Sequence, residues 1–524
     1  MLLVTSETMR RLDEETIKRF EPGLVLMERA GQGIFESIME FVDEPGDECA
    51  SIFLGSGNNA GDGLVTARLL AGAGMKVILH YMRDPEKLSP DAFKNYKRLD
   101  GKRGGRVVEE IFPGMADWKQ RSAAALEEST FVVDALLGTG IDKPVGADYG
   151  GAIEAINESG LPVVAVDIPS GINGTTGEVM GCAVRADVTV TLGLPKTGAV
   201  FYPGKAFCGS LEVVDIGIPD EVMAASGVDD HILDIYTALG DLPERRPDSH
   251  KFGCGSLLVA AGSRRYCGAA WLTAMSALRT GCGVVYLAGP ESIRTAVQSS
   301  APEIIFIALP ETASGSIAEE AAESLMREAR FDAMAVGPGL TTDPGTAAFV
   351  GRIVELCKAP MVLDADALNA FEGRLGEISR LSAGKEIIIT PHSGELARLT
   401  GKQAPVAPAG RIGSLRELAA GTGLTIVHKG APTVIAHPSG RVDVNVFGHP
   451  GQATAGSGDV LTGAIAGILA QSSGAAAAAR LGVYLQSRAA EFAAETTGER
   501  GMTAGDCCDS IPHAMKELEE GCGL

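Results

Sequence analysis

Residues 50–82 run from an apolar stretch ending IFLG, through the polar, glycine-rich SGNNAGDG, into the helical pattern LVTARLLAGAG and then the β-branched KVILHYM. That succession is a βαβ unit, and it commits the first part of the chain to a parallel sheet with crossover helices. Short β-branched runs follow at 131–134, 162–167 and 187–192, with a helical stretch at 147–157 between the first two. SLEVVDIGIP closes the series at 210–219.

A second series begins with SLLVAAG at 256–262, followed by the Ala-rich GAAWLTAMSALRTG and the strand-like GVVYLAG. Further strands are expected at MAVGPG, PMVLDAD, EIIITP and LTIVHKG, and PTVIAHPSGRVDVN reads as a hairpin around Pro438, Ser439 and Gly440. Two helices, over 459–470 and 474–495, end this series. A polar stretch containing SGVDDH and LPERRPDSHK separates the halves, and the division is set at 1–222 and 223–524. A chain of 524 residues is too long for one core at about 150 residues per domain, so two α/β domains are expected.

With 45 basic against 67 acidic residues the net charge is -22, the wrong sign for general nucleic-acid binding. The start lacks the apolar core of a signal peptide, and the apolar stretch at 460–479 is broken by Gln471, Ser472 and Ser473, so no membrane span is expected. Ten scattered cysteines without a CxxC indicate neither a zinc site nor a disulfide framework. A soluble, reduced, cytoplasmic chain follows as the expectation. Cys507, Cys508 and His513 are read as structural or surface groups rather than a metal cluster.

Chemistry is expected where strands end. Gly55-Ser56-Gly57-Asn58-Asn59-Ala60-Gly61-Asp62-Gly63 lies between a strand and a helix, where backbone amides attract phosphate. The next strand ends His80-Tyr81-Met82-Arg83, without the acid that a nicotinamide redox site would use, so that reading fits poorly. Two more strand ends are polar, around Asp134 in VDALLGTG and Asp167 in VDIPSG. Oxygens from Asn59, Asp134 and Ser170 suit a hard cation, leaving Asp167 free for proton transfer. Turn and helix capping by the same side chains is the alternative.

In the second half, GQATAGSGD at 451–459 leads into a helix, so the amides of Gly456, Ser457 and Gly458 form an anion hole beside Asp459. A carboxylate there can take the proton of an attacking hydroxyl, as in phosphoryl transfer generally. No Gly-Lys pair is followed by Ser or Thr, so a Walker A loop is absent. KGAPT at 429–433 and TPHSGE at 390–395 end other strands. VLDADALN places Asp364, Asp366 and Asn369 at one strand end, which either Mg²⁺-phosphate binding or turn capping would explain.

Taken together these pieces resemble the bifunctional NAD(P)H-hydrate repair enzymes, in which an N-terminal epimerase is fused to a C-terminal ribokinase-like dehydratase. The likeness spans nearly the whole chain. It rests on LMERAG, GNNAGDGLVTAR, VDALLGTG and VDIPSG, then on the GAAxL pattern at 268–272, GPGL, VLDADALN, TPHSGE, KGAPT and TAGSGD. The resemblance implies an N-terminal Rossmann-like three-layer sandwich and a C-terminal ribokinase-like α/β domain. It implies NADHX and NADPHX, nicotinamide rings to which water has added, as substrates, and ADP or ATP as co-substrate. Asn58, Asn59, Ala60, Gly61, Asp62, Gly138, Thr139, Gly140, Ile141, Asp142, Lys143, Pro144 and Asp167 would contact the hydrate in the first domain, with Asp167 catalytic. Asn59, Asp134 and Ser170 would bind K⁺. In the second domain Ala270, Gly339, His392 and Asp459 would hold the hydrate, with Asp459 the base. Lys429, Gly430, Ala431, Pro432, Thr433 and Gly458 would hold the adenine nucleotide, with Mg²⁺. A homo-oligomer is expected.

Ala60, Ser393 and His449 depart from the usual glycine, proline and asparagine of the family. A positive φ at Ala60 would weaken the phosphate contact. The rival for the second half is a ribokinase-like small-molecule kinase, which needs the same anion hole and base. The rival for the first half is a nucleotide-binding or protein-interaction module.

Overall fold

The computed structural model describes residues 1–99, 107–111, 118–382, 384–403, 405 and 407–521. They group into two compact units: residues 2–229 with 407–409, and residue 1 with 230–406 and 410–524. The change of unit comes after the short helix Asp220–Ala225 rather than inside it, because Val222 is buried in the core of the first unit.

The first unit is built on strands β1 (Cys49–Leu54), β2 (Lys76–Tyr81), β3 (Val107–Ile111), β4 (Phe131–Ala135), β5 (Val163–Val166), β6 (Val188–Leu192) and β7 (Ser210–Val214). They lie in the order β3-β2-β1-β4-β5-β6-β7, every pair parallel. All residues of β1, β4 and β5 are buried, as a sheet covered on both faces requires. Helices α1 (Ser6–Arg19), α2 (Gly23–Met39) and α3 (Asn58–Gly72) share one apolar cluster on the sheet, and α4 (Ala147–Ser159) lies in another. Close approach of α2 and α3 fixes Gly31, where a Cβ would stand 2.4 Å from Val65 Cβ. Strand order reverses between β1 and β4. Ligand crevices of open α/β sheets form at such a reversal, outside the carboxyl ends of the strands.

The second unit carries β8 (Asp230–Leu233), β9 (Ser256–Ala260), β10 (Val284–Pro290), β11 (Ile305–Leu309), β12 (Ala333–Val336), β13 (Met361–Leu363), β14 (Ile387–Ile389), β15 (Thr425–His428), β16 (Thr433–Ala436) and β17 (Val442–Asn445). Their order is β11-β10-β9-β12-β13-β14-β15-β16-β17-β8, antiparallel only at β15/β16 and β16/β17. The expected hairpin is thus present, and a second reversal falls between β9 and β12.

The unit also carries helices α5 (Cys267–Arg279), α6 (Ser393–Thr400), α7 (Ser457–Leu469), α8 (Gly474–Thr497) and α9 (Ala504–Glu520). A Cβ on Gly463 of α7 would stand 2.0 Å from Ser276 Oγ of α5, so the small residues are what let these helices touch. Val460 to Leu469 are buried without exception, which accounts for the late apolar stretch as a core helix. Among the described residues no helix is long and apolar enough to cross a membrane. Cys507 and Cys508 are buried on α9, where loss of solvation pushes both thiols up to about 12. No group of metal-ligating side chains of the kind weighed for Cys507, Cys508 and His513 occurs among the described residues.

Candidate active sites

Asn58 and Asn59 begin α3 directly after β1, with Gly57 extended before them. Ala60 is therefore helical and buried, without a positive φ, so its methyl imposes no backbone strain. Ser89 Oγ donates to Asn58 Oδ1 at 2.7 Å. Asn59 lies against the loop after β4, where a Cβ on Gly138 would stand 3.4 Å from its Oδ1. Its Nδ2 is buried without a hydrogen-bond partner among the described residues.

Asp134 and Ser170 meet in the structure. The Ser170 hydroxyl donates to Asp134 Oδ1 at 2.6 Å, and the Ser170 and Leu136 amides donate to the same carboxylate at 2.8 and 3.2 Å. Leu137 N–H donates to Ser170 Oγ at 2.8 Å, which ties the loop after β4 to the loop after β5. Burial pushes Asp134 up to about 6, partly offset by these hydrogen bonds.

Asp167 ends β5 in the left-handed region, with φ 68, an uncommon conformation for a residue with a side chain. Its carboxylate is ion-paired to Lys196 Nζ and takes the Leu192 amide at 3.2 Å. Lys196, 1% exposed, also donates to Leu192 O at 2.7 Å and Thr191 Oγ1 at 3.2 Å. Asp62 is buried on α3, and desolvation holds it well above the carboxylate range, with the charges of Asp167 and Asp13 adding to the rise and Lys196 opposing it. Motif reading passed over Lys196. Its signal was a lysine placed four residues beyond a strand, in LGLPKTG. Thr139, Gly140, Ile141, Asp142, Lys143 and Pro144 follow Gly138 in the loop that leaves β4, and Ile141 O accepts from Asn173 Nδ2 at 3.1 Å.

In the second unit the acids divide into bonded and poised. Lys429 Nζ lies 2.7 Å from Asp364 Oδ1 and 3.5 Å from Glu395 Oε2, and Thr462 Oγ1 donates to Asp364 Oδ2 at 2.7 Å. The two buried carboxylates raise the Lys429 ammonium further, over the opposing effect of desolvation. Asp366 accepts the Thr341 amide at 2.8 Å and the Asn369 side chain at 3.1 Å. Thr462 was not anticipated, being hidden in the apolar run of α7.

Asp459 lies in the first turn of α7, which follows Gly456 at φ 95. Burial pushes it up to about 7, the charges of Asp364 and Asp366 adding to the rise and Lys429 opposing it. A Cβ on Gly458 would stand 3.5 Å from Lys429 Nζ, so glycine there keeps the lysine and the helix start together.

Gly339, at φ 67, follows β12, and a Cβ on it would stand 2.8 Å from Tyr266 O. Ala270 is fully buried on α5. His392 caps α6: its Nδ1 takes the Gly394 and Glu395 amides at 3.0 and 3.3 Å, and its side chain is 52% exposed. Its Nε2 stands 3.5 Å from Glu395 Oε1. Lys429 N–H donates to Pro391 O at 3.0 Å, joining the loops after β14 and β15.

Ser393 Oγ lies 3.2 Å from His428 Nε2, and Arg411 donates from Nε to His428 Nδ1 at 3.0 Å and from Nη2 to Pro432 O at 2.9 Å. Arg411 thereby supports the loop of Gly430, Ala431, Pro432 and Thr433 from beneath. His449 caps a short turn through Gly451 N–H at 3.2 Å.

A family profile described as NAD(P)H-hydrate dehydratase matches residues 257–513, and one described as YjeF-related protein N-terminus matches residues 23–198. The bifunctional NAD(P)H-hydrate repair enzyme Nnr of Thermofilum pendens is 40% identical, with 98% of this chain and 96% of that protein covered. Its counterpart in Moorella thermoacetica is 39% identical, with 99% and 98% covered. Among solved structures, an ADP/ATP-dependent NAD(P)H-hydrate dehydratase from Bacillus subtilis, co-crystallized with ATP/Mg²⁺, is 28% identical with a TM-score of 0.47. It covers 55% of this chain, and 98% of that chain is covered.

Proposed function

The chain belongs to the bifunctional NAD(P)H-hydrate repair enzymes, and on that premise we propose that the crevice at the β1/β4 reversal is its epimerase site and the crevice at the β9/β12 reversal its dehydratase site. The protein is an enzyme of two activities, interconversion of the R and S hydrates and nucleotide-dependent dehydration of the S hydrate to NAD(P)H.

The observation that carries the dehydratase assignment is Asp459: a carboxylate raised to about 7, in the first turn of a helix, opposite a lysine already paired to Asp364. Asp459 takes the proton of the ring hydroxyl as that oxygen attacks the terminal phosphorus of ADP or ATP. The amides of Gly456, Ser457 and Gly458 meet the charge that develops on the transferred group. The ring carbon–oxygen bond then breaks as the nitrogen lone pair forms a carbon–nitrogen double bond and phosphate departs, and the neighbouring ring carbon gives up one proton to water, restoring the dihydronicotinamide double bond. Lys429, Gly430, Ala431, Pro432, Thr433 and Gly458 hold the nucleotide, while Ala270, Gly339 and His392 hold the hydrate. Asp366 is the carboxylate at hand for Mg²⁺, because Asp364 already holds Lys429 and Asp459 serves as the base. Mg²⁺ bound with the nucleotide supplies charge neutralisation at phosphate.

In the first crevice Asn58, Asn59, Ala60, Gly61, Asp62 and the loop of Gly138, Thr139, Gly140, Ile141, Asp142, Lys143 and Pro144 take the dinucleotide, with Asp167 near the reacting ring. Asn59, Asp134 and Ser170 offer oxygens with a single carboxylate among them, a donor set suited to K⁺ rather than a divalent ion. The unengaged Nδ2 of Asn59 leaves its amide free to turn Oδ1 toward such an ion. The described cysteines are all free, which fits work in a reducing compartment such as the cytoplasm.

Incubation with hydrated NADH and ADP, then ATP, while following NADH absorbance tests the dehydratase reading. Recovery of NADH only with nucleotide is expected. Nucleotide consumption without NADH recovery would instead favour the small-molecule kinase.

A further inference from the structure

The family match begins at residue 23, yet the residues before it dock on the loops after β5 and β6. Val4 pairs with Lys196 as a parallel bridge, its N–H on Pro195 O at 3.0 Å and its carbonyl taking the Thr197 amide at 2.9 Å. Helix α1 then starts on the loop after β5, where Ser6 N–H donates to Thr175 Oγ1 at 3.1 Å. A Cβ on Gly174 would stand 2.4 Å from Ser6 Oγ and 3.3 Å from Thr139 Cγ2.

Two buried side-chain oxygens of this segment, Ser6 Oγ and Asp13 Oδ1, have no hydrogen-bond partner among the described residues. Such atoms cost free energy unless something completes them, and two of them on a segment docked beside Lys196, Thr175 and Thr139 point to a bound molecule that does. Asp13 lies in the field of Lys196 and Asp167, and its own field reaches Asp62.

We propose that Asp13 is an acid–base residue of the epimerase site, exchanging a proton with the hydroxyl on the carbon that inverts, while Lys196 and Asp167 form the fixed ion pair beside it. The proposal rests on reading the first crevice as the epimerase site. Water added across the ring's electron-rich double bond leaves its hydroxyl on the carbon bonded to the ring nitrogen. The Asp13 carboxyl passes its proton to that oxygen, the carbon–oxygen bond breaks, and the nitrogen lone pair forms a carbon–nitrogen double bond as water departs. Water adds to the other face, the π pair returns to nitrogen, and the surplus proton returns to the Asp13 carboxylate. Nothing is oxidised or reduced.

Burial pushes Asp13 up to about 7, with Asp167 and Glu14 adding to the rise and Lys196 opposing it, so the proton is available near neutral pH. The groups whose charges bear on it are Lys196, Asp167, Glu14 and Asp62.

The test follows exchange between the R and S hydrates by chromatography, above the spontaneous rate, in the full chain between pH 5 and 9. The wild-type kcat should fall as pH rises through about 7. Asp13→Asn should lower kcat by roughly 10²- to 10⁴-fold with KM little changed, and flatten the profile. Asp13→Glu, which keeps a carboxyl, should recover part of kcat and the pH dependence. An Asp13→Asn enzyme with kcat unchanged overturns the proposal, as does equal impairment by Asn and Glu confined to KM. Should Asp13→Asn fail to fold, a flat wild-type profile or an Asp13→Glu enzyme without pH dependence still overturns it. A wild-type enzyme that does not epimerise the hydrates sinks the parent reading and this proposal together.

Discussion

Both units place their polar residues at the point where a parallel sheet reverses its strand order, yet they dispose of buried carboxylates differently. In the first, the buried ammonium of Lys196 pairs with Asp167 while Asp13 and Asp62 are left with raised proton affinity. In the second, Lys429 is held between Asp364 and Glu395, and Asp459 is the carboxyl left over. Asp13 and Asp459 are both pushed up to about 7, the one proposed as an acid that must begin protonated and the other as a base that must begin ionised. Proton affinity alone does not assign a role; the bond being made or broken decides which protonation state works.

The sharpest way to break the comparison is Asp459→Asn. It keeps the shape, removes the base, and should lower nucleotide-dependent conversion of the S hydrate by roughly 10²- to 10⁴-fold. Exchange of R and S hydrates should survive, since its residues lie in the other unit. Loss of both activities would contradict this separation.

Next in size is Lys429→Met, which strands the buried carboxylate of Asp364. Removing one partner of a buried pair costs about 3–5 kcal/mol. Calorimetry should show the second unit melting earlier, with epimerase activity retained at moderate temperature.

A pH series separates the sites more gently. A base works once its proton is gone, so dehydration should fall, up to tenfold per unit, below about pH 7, where Asp459 becomes protonated. The proposed acid works while it keeps its proton, so epimerisation should fall above about pH 7. Two profiles with limbs on the same side would sink the contrast. The smallest effect expected is that of replacing K⁺ by a large organic cation at constant ionic strength. It should slow epimerisation several-fold and leave dehydration unchanged in the same samples.

The strands, the crossover helices and the polar strand ends were legible because apolar periodicity and glycine-rich loops are local signals. Expected helices at 147–157 and 459–470 are realised as Ala147–Ser159 and Ser457–Leu469. The charge partners were less legible. Asp364 and Lys429 could be named from their strand ends, but their 2.7 Å pairing joins loops after β13 and β15 and depends on the sheet order. Asp13 sits in LDEET, a charged stretch that reads as the solvated face of a helix, and only the docking of α1 turns one acid inward. His392 was open to two readings, and its Nδ1 is engaged in capping while its Nε2 lies near Glu395.

The strip of backbone pairing between Val4 and Lys196 bears on how the first unit can be cut out for separate study. A fragment beginning at residue 23, where the family match begins, would keep every glycine-rich motif. It would also lose Met9 and Leu12, each buried in the core and each worth about 1.5–3 kcal/mol of burial. The cluster they share with Ile216 and Ile218 would be opened, and Gly193 would lose the Met9 side chain beside it. Such a fragment is expected to aggregate or to bind dinucleotide weakly, whereas one that starts at residue 2 and ends near residue 229 keeps all of this unit but residues 407–409.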